Sequence, residues 1–211
     1  MSDINNGFLS ENQQMMHMVV LKYAELAERC EGYRKLKCRV GLTMGSFDVK
    51  NVGHDRYFMF AKQYCDVLIV GIDSDEKISR RKGIPRPVVL EEERLEQVCH
   101  TRWVDVATLD MHDYPPFALH KAVRPDTLII STQTIQGVDT PEYSQQEMEE
   151  LKKYCGEIVV VNRQAQTSAT ARIRTAMLGL SDHLSTELSK QLAEQIPKDV
   201  RRITANFFHH E

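Results

Sequence analysis

Residues 45–54 read Gly45-Ser46-Phe47-Asp48-Val49-Lys50-Asn51-Val52-Gly53-His54. An apolar, β-prone run from Cys38 to Met44 precedes them, and an amphipathic helical run from Arg56 to Tyr64 follows. A glycine-bearing loop therefore joins a strand to a helix, with a histidine at the helix entrance. Glycine lets a backbone approach a ligand closely. A helix N-terminus offers unpaired N–H groups and a positive dipole end. Together these suit phosphate, and His54 can donate hydrogen bonds to a nucleotide's phosphates there. A capping loop with an incidental histidine is the plainer alternative. The offset from Gly45-Ser46-Phe47-Asp48 to Gly53-His54 favours the phosphate site.

Two further stretches carry residue types that act on phosphate. Lys82-Gly83-Ile84-Pro85-Arg86-Pro87 sits in a basic, proline-punctuated segment, Lys77 to Pro87, read as a loop after the second strand. Lys82 and Arg86 could fold over a triphosphate or a phosphorylated substrate. With Arg80 and Arg81 beside them, they also fit a solvated basic loop. Gln166-Thr167-Ser168-Ala169-Thr170-Ala171-Arg172-Ile173 places three hydroxyls at a helix start. Thr167, Ser168 and Thr170 suit the β- and γ-phosphates of a nucleotide, although serine and threonine also serve as ordinary caps.

The elements that must position these groups alternate. Strands are expected at Cys38–Met44, Asp66–Ile72, Trp103–Leu109, Thr127–Ser131 and Glu157–Asn162. Asp66–Ile72 is almost continuously apolar, as in strands buried on both faces. Helices are expected at Glu91–Thr101, Phe117–Val123, Pro141–Tyr154 and Thr167–Leu178. Alternation of this kind predicts an α/β fold with a doubly wound, mostly parallel sheet. Ligands bind such sheets beyond the strand C-termini, where strand order reverses. Residues 1–14 read as a polar leader, Met15 to Cys30 as a helix ended at Glu31-Gly32. Leu180, Leu184, Leu188, Leu192 and Ile196 form a helical stripe stopped by Pro197. The stripe suits docking on the domain or a dimer. The expected organisation is residues 1–37 as leader and helix, 38–178 as the domain and 179–211 as a helical tail. Phe207-Phe208-His209-His210-Glu211 reads as a frayed end or subunit contact rather than a metal site.

Composition narrows the function. The 211 residues carry 27% charged side chains and a net charge of −3, so no basic field points to nucleic acid or an anionic membrane. No apolar run approaches the ~20 residues needed to span a bilayer. Five cysteines lack C-x-x-C spacing, which predicts reduced thiols in a cytoplasmic setting.

The loop resembles the G-x-F-D-x-x-H-x-G-H signature of the cytidylyltransferase-like nucleotidyltransferases, with Asn51 where the first histidine is expected. Val70-Gly71-Ile72-Asp73-Ser74-Asp75, Lys82-Gly83, Arg86-Pro87 and Glu92-Glu93-Arg94 follow the family's succession. Trp103-Val104-Asp105-Val106 and Arg124-Pro125-Asp126-Thr127-Leu128-Ile129 resemble two of its strands. The 167–173 stretch resembles its I-S-T-T motif, with Ala169 for one threonine and Arg172 for an isoleucine. Ser131-Thr132-Gln133-Thr134 replaces the usual G-G-D-Y. The resemblance spans residues 38–178 and lies nearest the adenylyltransferase domain of ADP-heptose synthase and the glycerol- and ethanolamine-phosphate cytidylyltransferases.

What the resemblance implies is a Rossmann-like fold and transfer of a nucleoside monophosphate from ATP or CTP to a sugar or polyol phosphate, with Mg²⁺ accompanying the nucleotide and no metal site of the protein's own. His54, Lys82 and Asn51 would act at the reacting phosphates. Gly45, Ser46, Phe47, Gly53, Thr167, Ser168 and Thr170 would hold the nucleotide. Asp48, Arg86 and Arg94 would face the acceptor; Asp48 could also orient the loop or a metal-bound water, and a turn-stabilising aspartate fits it equally. A cytoplasmic homodimer without nucleic-acid or membrane partners is expected. Two alternatives are a nucleotide-binding protein with weakened catalysis, favoured by Asn51, and a cofactor-synthesis adenylyltransferase acting on a mononucleotide such as FMN or NMN.

Overall fold

The computed structural model describes residues 17–83, 86–135, 138–141, 143–162, 164 and 175–190. The chain divides into two units, parting between residues 166 and 167. In the first unit, α1 is Tyr23–Lys35, β1 Val40–Gly45, α2 Val52–Ala61, β2 Val67–Asp73, α3 Asp75–Lys82 and α4 Glu91–Cys99. There follow β3 Val106–Asp110, α5 Ala118–Val123, β4 Thr127–Ile135, β5 Val138–Pro141, α6 Gln145–Leu151 and β6 Glu157–Val161. In the second unit, residues 175–190 are helical, with Leu180, Leu184 and Leu188 exposed.

Five strands pair in parallel in the order β3-β2-β1-β4-β6. Every residue of β2 is buried, as the continuous apolar run requires when helices cover both faces. The pleat then sends alternate side chains to opposite layers. Leu68, Val70 and Ile72 pack with Phe58 and Ala61 of α2 and Leu95 and Val98 of α4. Val67 and Ile69 pack with Leu26 and Cys30 of α1 and Leu119 and Val123 of α5. Each fully buried Val, Leu, Ile or Phe among them contributes roughly 1.5–3 kcal/mol. This is the Rossmann-like, doubly wound α/β arrangement expected. From β1 the chain steps outward to β2 and β3, then returns to place β4 on the other side of β1. Strand order reverses between β1 and β4, and the loop after Gly45 leaves the sheet at that point.

Four expectations about elements change. Val19 and Val20 are extended rather than helical: Val19 bridges Ala107, and Val20 N–H donates to Ala107 O at 3.0 Å. The β-branched pair fits a strand edge better than a helix, so α1 starts only at Tyr23. It also runs through Gly32, whose missing side chain faces open space. Residues 77–82 are helical rather than looped, since Ser74 caps α3 through Lys77 N and Gly83, at φ 75°, stops it. The helix buries Ile78 alone, so the apolar period is weak. Pro141 closes β5, an antiparallel partner of the far end of β4, so α6 begins after Ser144. Ser144 and Glu147 cap it reciprocally. The stretch 167–174, the leader and everything beyond residue 190 lie outside the described residues.

Candidate active site

Helix α2 is fastened over the reversal point by Tyr57. Its hydroxyl meets Thr43 Oγ1 of β1 at 2.7 Å and donates to Ile129 O of β4 at 3.1 Å. The helix entrance is therefore fixed to both strands of the crevice. The loop that leads to it bends sharply, with Phe47 at φ 46° and Val49 at φ 50°. Left-handed backbone at two bulky residues is strained, and such strain concentrates at functional sites. The Phe47 ring folds back under Gly45, where an added Cβ would lie 3.1 Å from Phe47 Cζ. The same ring stacks edge-on against His54, centroids 5.6 Å apart, and packs on Phe58. Phe47 is thus a buried wedge that shapes the loop and seats His54.

Asn51 is the N-cap of α2. Its Oδ1 accepts the Gly53 N–H at 2.9 Å, and its own N–H donates to His54 Nδ1 at 3.2 Å. Asparagine is among the best N-caps, which gives position 51 a structural occupation. The second bond has a chemical consequence. A histidine that accepts at Nδ1 carries its ring proton on Nε2 in the neutral form. The loop therefore presets His54 as an Nε2–H donor. Gly53 N–H, by contrast, is taken by Asn51.

On the other side of the loop, Ser46 Oγ accepts from Lys82 Nζ at 2.7 Å and from Arg81 at 3.0 Å. Both lone pairs are used, so the hydroxyl proton is what Ser46 has left to offer. Lys82 occupies the last turn of α3. Two cations thus converge on one small hydroxyl at the loop.

Asp48 is 2% exposed and organises the segment after residue 85. It accepts from Arg86 Nε at 2.8 Å and from the backbone N–H groups of Val88 and Val89 at 3.1 Å. Of the roles open to it, orienting a loop is the one this geometry performs, with Arg86 as its ion-pair partner. Arg94, expected to face the acceptor, has no exposed surface. It donates to Ser46 O at 2.6 Å, Val89 O at 2.9 Å and Asp75 Oδ1 at 2.7 Å. From there it holds the loop, the 86–89 segment and the start of α3 together.

A cavity of about 420 Å³ adjoins this cluster at the C-terminal ends of β1, β2 and β3. Gly45 and Arg81 line it, as do Asp73, Lys77, Asp110 and His120. Asp73 and Asp110 face each other in register. Lys77 bridges them, at 3.3 Å to Asp73 and in direct contact with Asp110, while Arg81 donates to Asp73 at 2.6 Å. Burial works against the Lys77 charge, but the two carboxylates outweigh it and hold its pKa above the usual lysine value. Among the described residues no three histidine, cysteine or acidic groups cluster as metal ligands.

With this geometry the comparisons decide the family. The model for the cytidylyltransferase-like domain matches residues 42–205. The chain belongs to the cytidylyltransferase-like nucleotidyltransferase family. Among curated relatives, the bifunctional protein HldE of Sulfurimonas denitrificans is 36% identical over 107 residues, 51% of this chain and 22% of that protein. HldE of Caulobacter vibrioides is 38% identical over 120 residues, 54% of this chain and 25% of that protein. The chain therefore spans about a quarter of the length of these relatives. The fold is shared with a lipopolysaccharide core biosynthesis protein of Thermoplasma volcanium. That match has a TM-score of 0.51 at 22% identity, over 60% of this chain and 98% of the other.

The structure brings Gly45, Ser46, Phe47, Asp48, Asn51, Gly53, His54, Lys82, Arg86 and Arg94 to one loop and its surroundings. Thr167, Ser168 and Thr170 lie outside the described residues. Sequence reading passed over Arg81, Lys77, Asp73 and Asp110, because charged residues near strand ends look like solvated surface. It also passed over His120, a single histidine between Leu119 and Lys121 in the run read as a short helix.

Proposed function

We propose that this chain transfers a nucleoside monophosphate from ATP or CTP to a phosphorylated small molecule, a sugar or polyol phosphate, releasing pyrophosphate. The observation that carries the reading is one strained loop over the reversal point that holds Lys82 and Arg81 on Ser46 at one side and His54 at the helix entrance on the other. An acceptor phosphate oxygen attacks the α-phosphorus, and the bond to the pyrophosphate oxygen breaks. A phosphate monoester is already anionic, so no covalent nucleophile and no general base is required. The protein has two tasks: to align two anions that repel each other, and to stabilise the charge that develops on the phosphoryl oxygens. His54 Nε2–H donates to the phosphates near the reacting centre. Lys82 and Arg81 offset negative charge, and the Ser46 hydroxyl donates its proton in a hydrogen bond. Arg94, Asp48 and Arg86 keep these donors in place. Thr167, Ser168 and Thr170 retain the β/γ-phosphate role implied by the family motif.

Mg²⁺ would arrive with the nucleotide and neutralise phosphate charge. The carboxylates nearest the loop suit that arrangement: Asp48 is engaged by Arg86 and Asp73 by Arg81 and Lys77, so the ion would be held mainly by phosphate oxygens and water.

Asn51 favours a second reading, nucleotide binding with weakened catalysis, because its side chain caps the helix and carries no charge. The two separate in one assay. The chain is incubated with ATP, CTP, GTP or UTP, Mg²⁺ and a panel of phosphorylated acceptors, and pyrophosphate is followed. Acceptor-dependent release supports transfer. Nucleotide binding without release from any pair supports the second reading.

A further inference from the structure

His120, on α5, is 2% exposed, and neither Nδ1 nor Nε2 has a hydrogen-bond partner among the described residues. A neutral imidazole offers one donor and one acceptor, and burying both unmet is costly. The ring lines the cavity beside the loop and lies edge-on to two others that also line it, Phe117 at 5.7 Å and Tyr143 at 6.2 Å between centroids. Phe117 caps α5 in left-handed backbone at φ 62°, a strained conformation for an aromatic residue. An unsatisfied polar ring and a strained neighbour on one wall fit a recognition surface better than a core.

The rest of the cavity indicates which way a ligand would lie. Arg81 belongs both to the cavity and to the Ser46 cluster, so a phosphate near Arg81 stands at the loop. The body of the same molecule then extends toward His120. Burial, reinforced by the Lys77 charge, pushes the His120 pKa down to about 4, so the ring is neutral at physiological pH. A neutral imidazole donates once and accepts once. A hydroxyl does both in return, whereas an anionic oxygen only accepts.

We propose that His120 is a specificity-determining residue that hydrogen-bonds a hydroxyl of the acceptor, with the Phe117 and Tyr143 edges giving way as a sugar or polyol phosphate enters. The inference rests on the sugar- or polyol-phosphate reading above. It adds the residue that reads the hydroxylated body.

Binding of mannose 1-phosphate, glucose 1-phosphate, glycerol 3-phosphate and inorganic phosphate is measured by calorimetry on wild type, His120→Leu and His120→Gln. The His120 Cε1–H resonance of the wild type is followed in parallel. At least one hydroxylated probe should bind the wild type more tightly than inorganic phosphate and move that resonance. His120→Leu should weaken this probe about tenfold, the worth of one buried hydrogen bond, and His120→Gln should stay within about threefold. Inorganic phosphate should bind all three chains alike. Equal affinity in His120→Leu, a resonance unmoved at saturation, or no hydroxylated probe binding better than inorganic phosphate overturns the proposal. The resonance test uses the wild-type chain, so the proposal can fail even if a variant does not fold. Pyrophosphate release is scored separately. His120-dependent sugar-phosphate binding without release would sink nucleotidyl transfer alone, and release indifferent to His120 would sink this inference alone.

Discussion

Replacing Arg94 with methionine separates a positioning role from a binding role. The guanidinium has no exposed surface and donates three bonds of 2.6–2.9 Å, to Ser46 O, Val89 O and Asp75 Oδ1. Methionine fills much of the volume but makes none of these bonds. Two carbonyls lose a charged donor and Asp75 loses its ion-pair partner. Breaking a buried pair from one side costs about 3–5 kcal/mol. The Asp75 side chain keeps 30% exposure and stays partly hydrated, so the lower end applies, about 3 kcal/mol. For a chain of this size 1 kcal/mol corresponds to roughly 2–4 °C in Tm, which gives a fall of about 6–12 °C. Calorimetry measures it, and steady-state kinetics run alongside. Loss of the tie also loosens the 45–51 loop, so kcat should fall for every acceptor alike. An Arg94 that touched the acceptor would behave otherwise, with Tm within about 2 °C of wild type and the acceptor KM raised selectively. That outcome would refute the positioning role.

Two further outcomes follow from the same geometry. Asn51→Ala removes the acceptor of Gly53 N–H and should lower stability by about 1 kcal/mol, with turnover falling as the cap that seats His54 loosens; an unchanged Tm in a thermal melt would contradict it. His120 is charged in the unfolded chain below its ordinary pKa of 6.5 but stays neutral in the fold down to about 4. Its contribution is therefore fully present above pH 6.5 and lost as pH falls toward 4, on the order of 3 kcal/mol in all. Denaturant titrations between pH 7 and 4 should show that slope in the wild type and a flatter one in His120→Leu.

The sheet was legible because its strands are buried on both faces. An apolar run such as Val67–Ile72 has little other use, and the β/α alternation around it leaves few topologies. The strand–loop–helix at 45–54 was legible because glycine, histidine and strand–helix context fall at fixed offsets. What stayed hidden has a common cause in long-range contact. α3 buries one apolar residue, so its stretch from Lys77 to Lys82 looked like part of a basic loop. Val19 and Val20 became a strand edge only because Ala107 lies beside them. Nothing local to Glu92-Glu93-Arg94 says that the arginine is enclosed along with Leu95 and Val98. The role of Asn51 as a cap could be read from its place before the helix, but its N–H bond to His54 Nδ1 exists only in the folded loop. His120 differs again: its signal is the absence of partners, which no sequence displays.

The central claim is that this loop cluster aligns an acceptor phosphate on the α-phosphorus of a nucleoside triphosphate, and ³¹P NMR of a single reaction tests it most directly. With Mg²⁺, the nucleotide and an acceptor from the panel, the account predicts that the triphosphate signals give way to pyrophosphate and a new nucleoside diphosphate ester. The conversion should need acceptor and fall at least about a hundredfold in His54→Ala, the scale of one transition-state donor, while the lost cap bond lowers the Tm of that variant by no more than about 4 °C. Loss of the γ-phosphate alone, or conversion undiminished in His54→Ala, would contradict it.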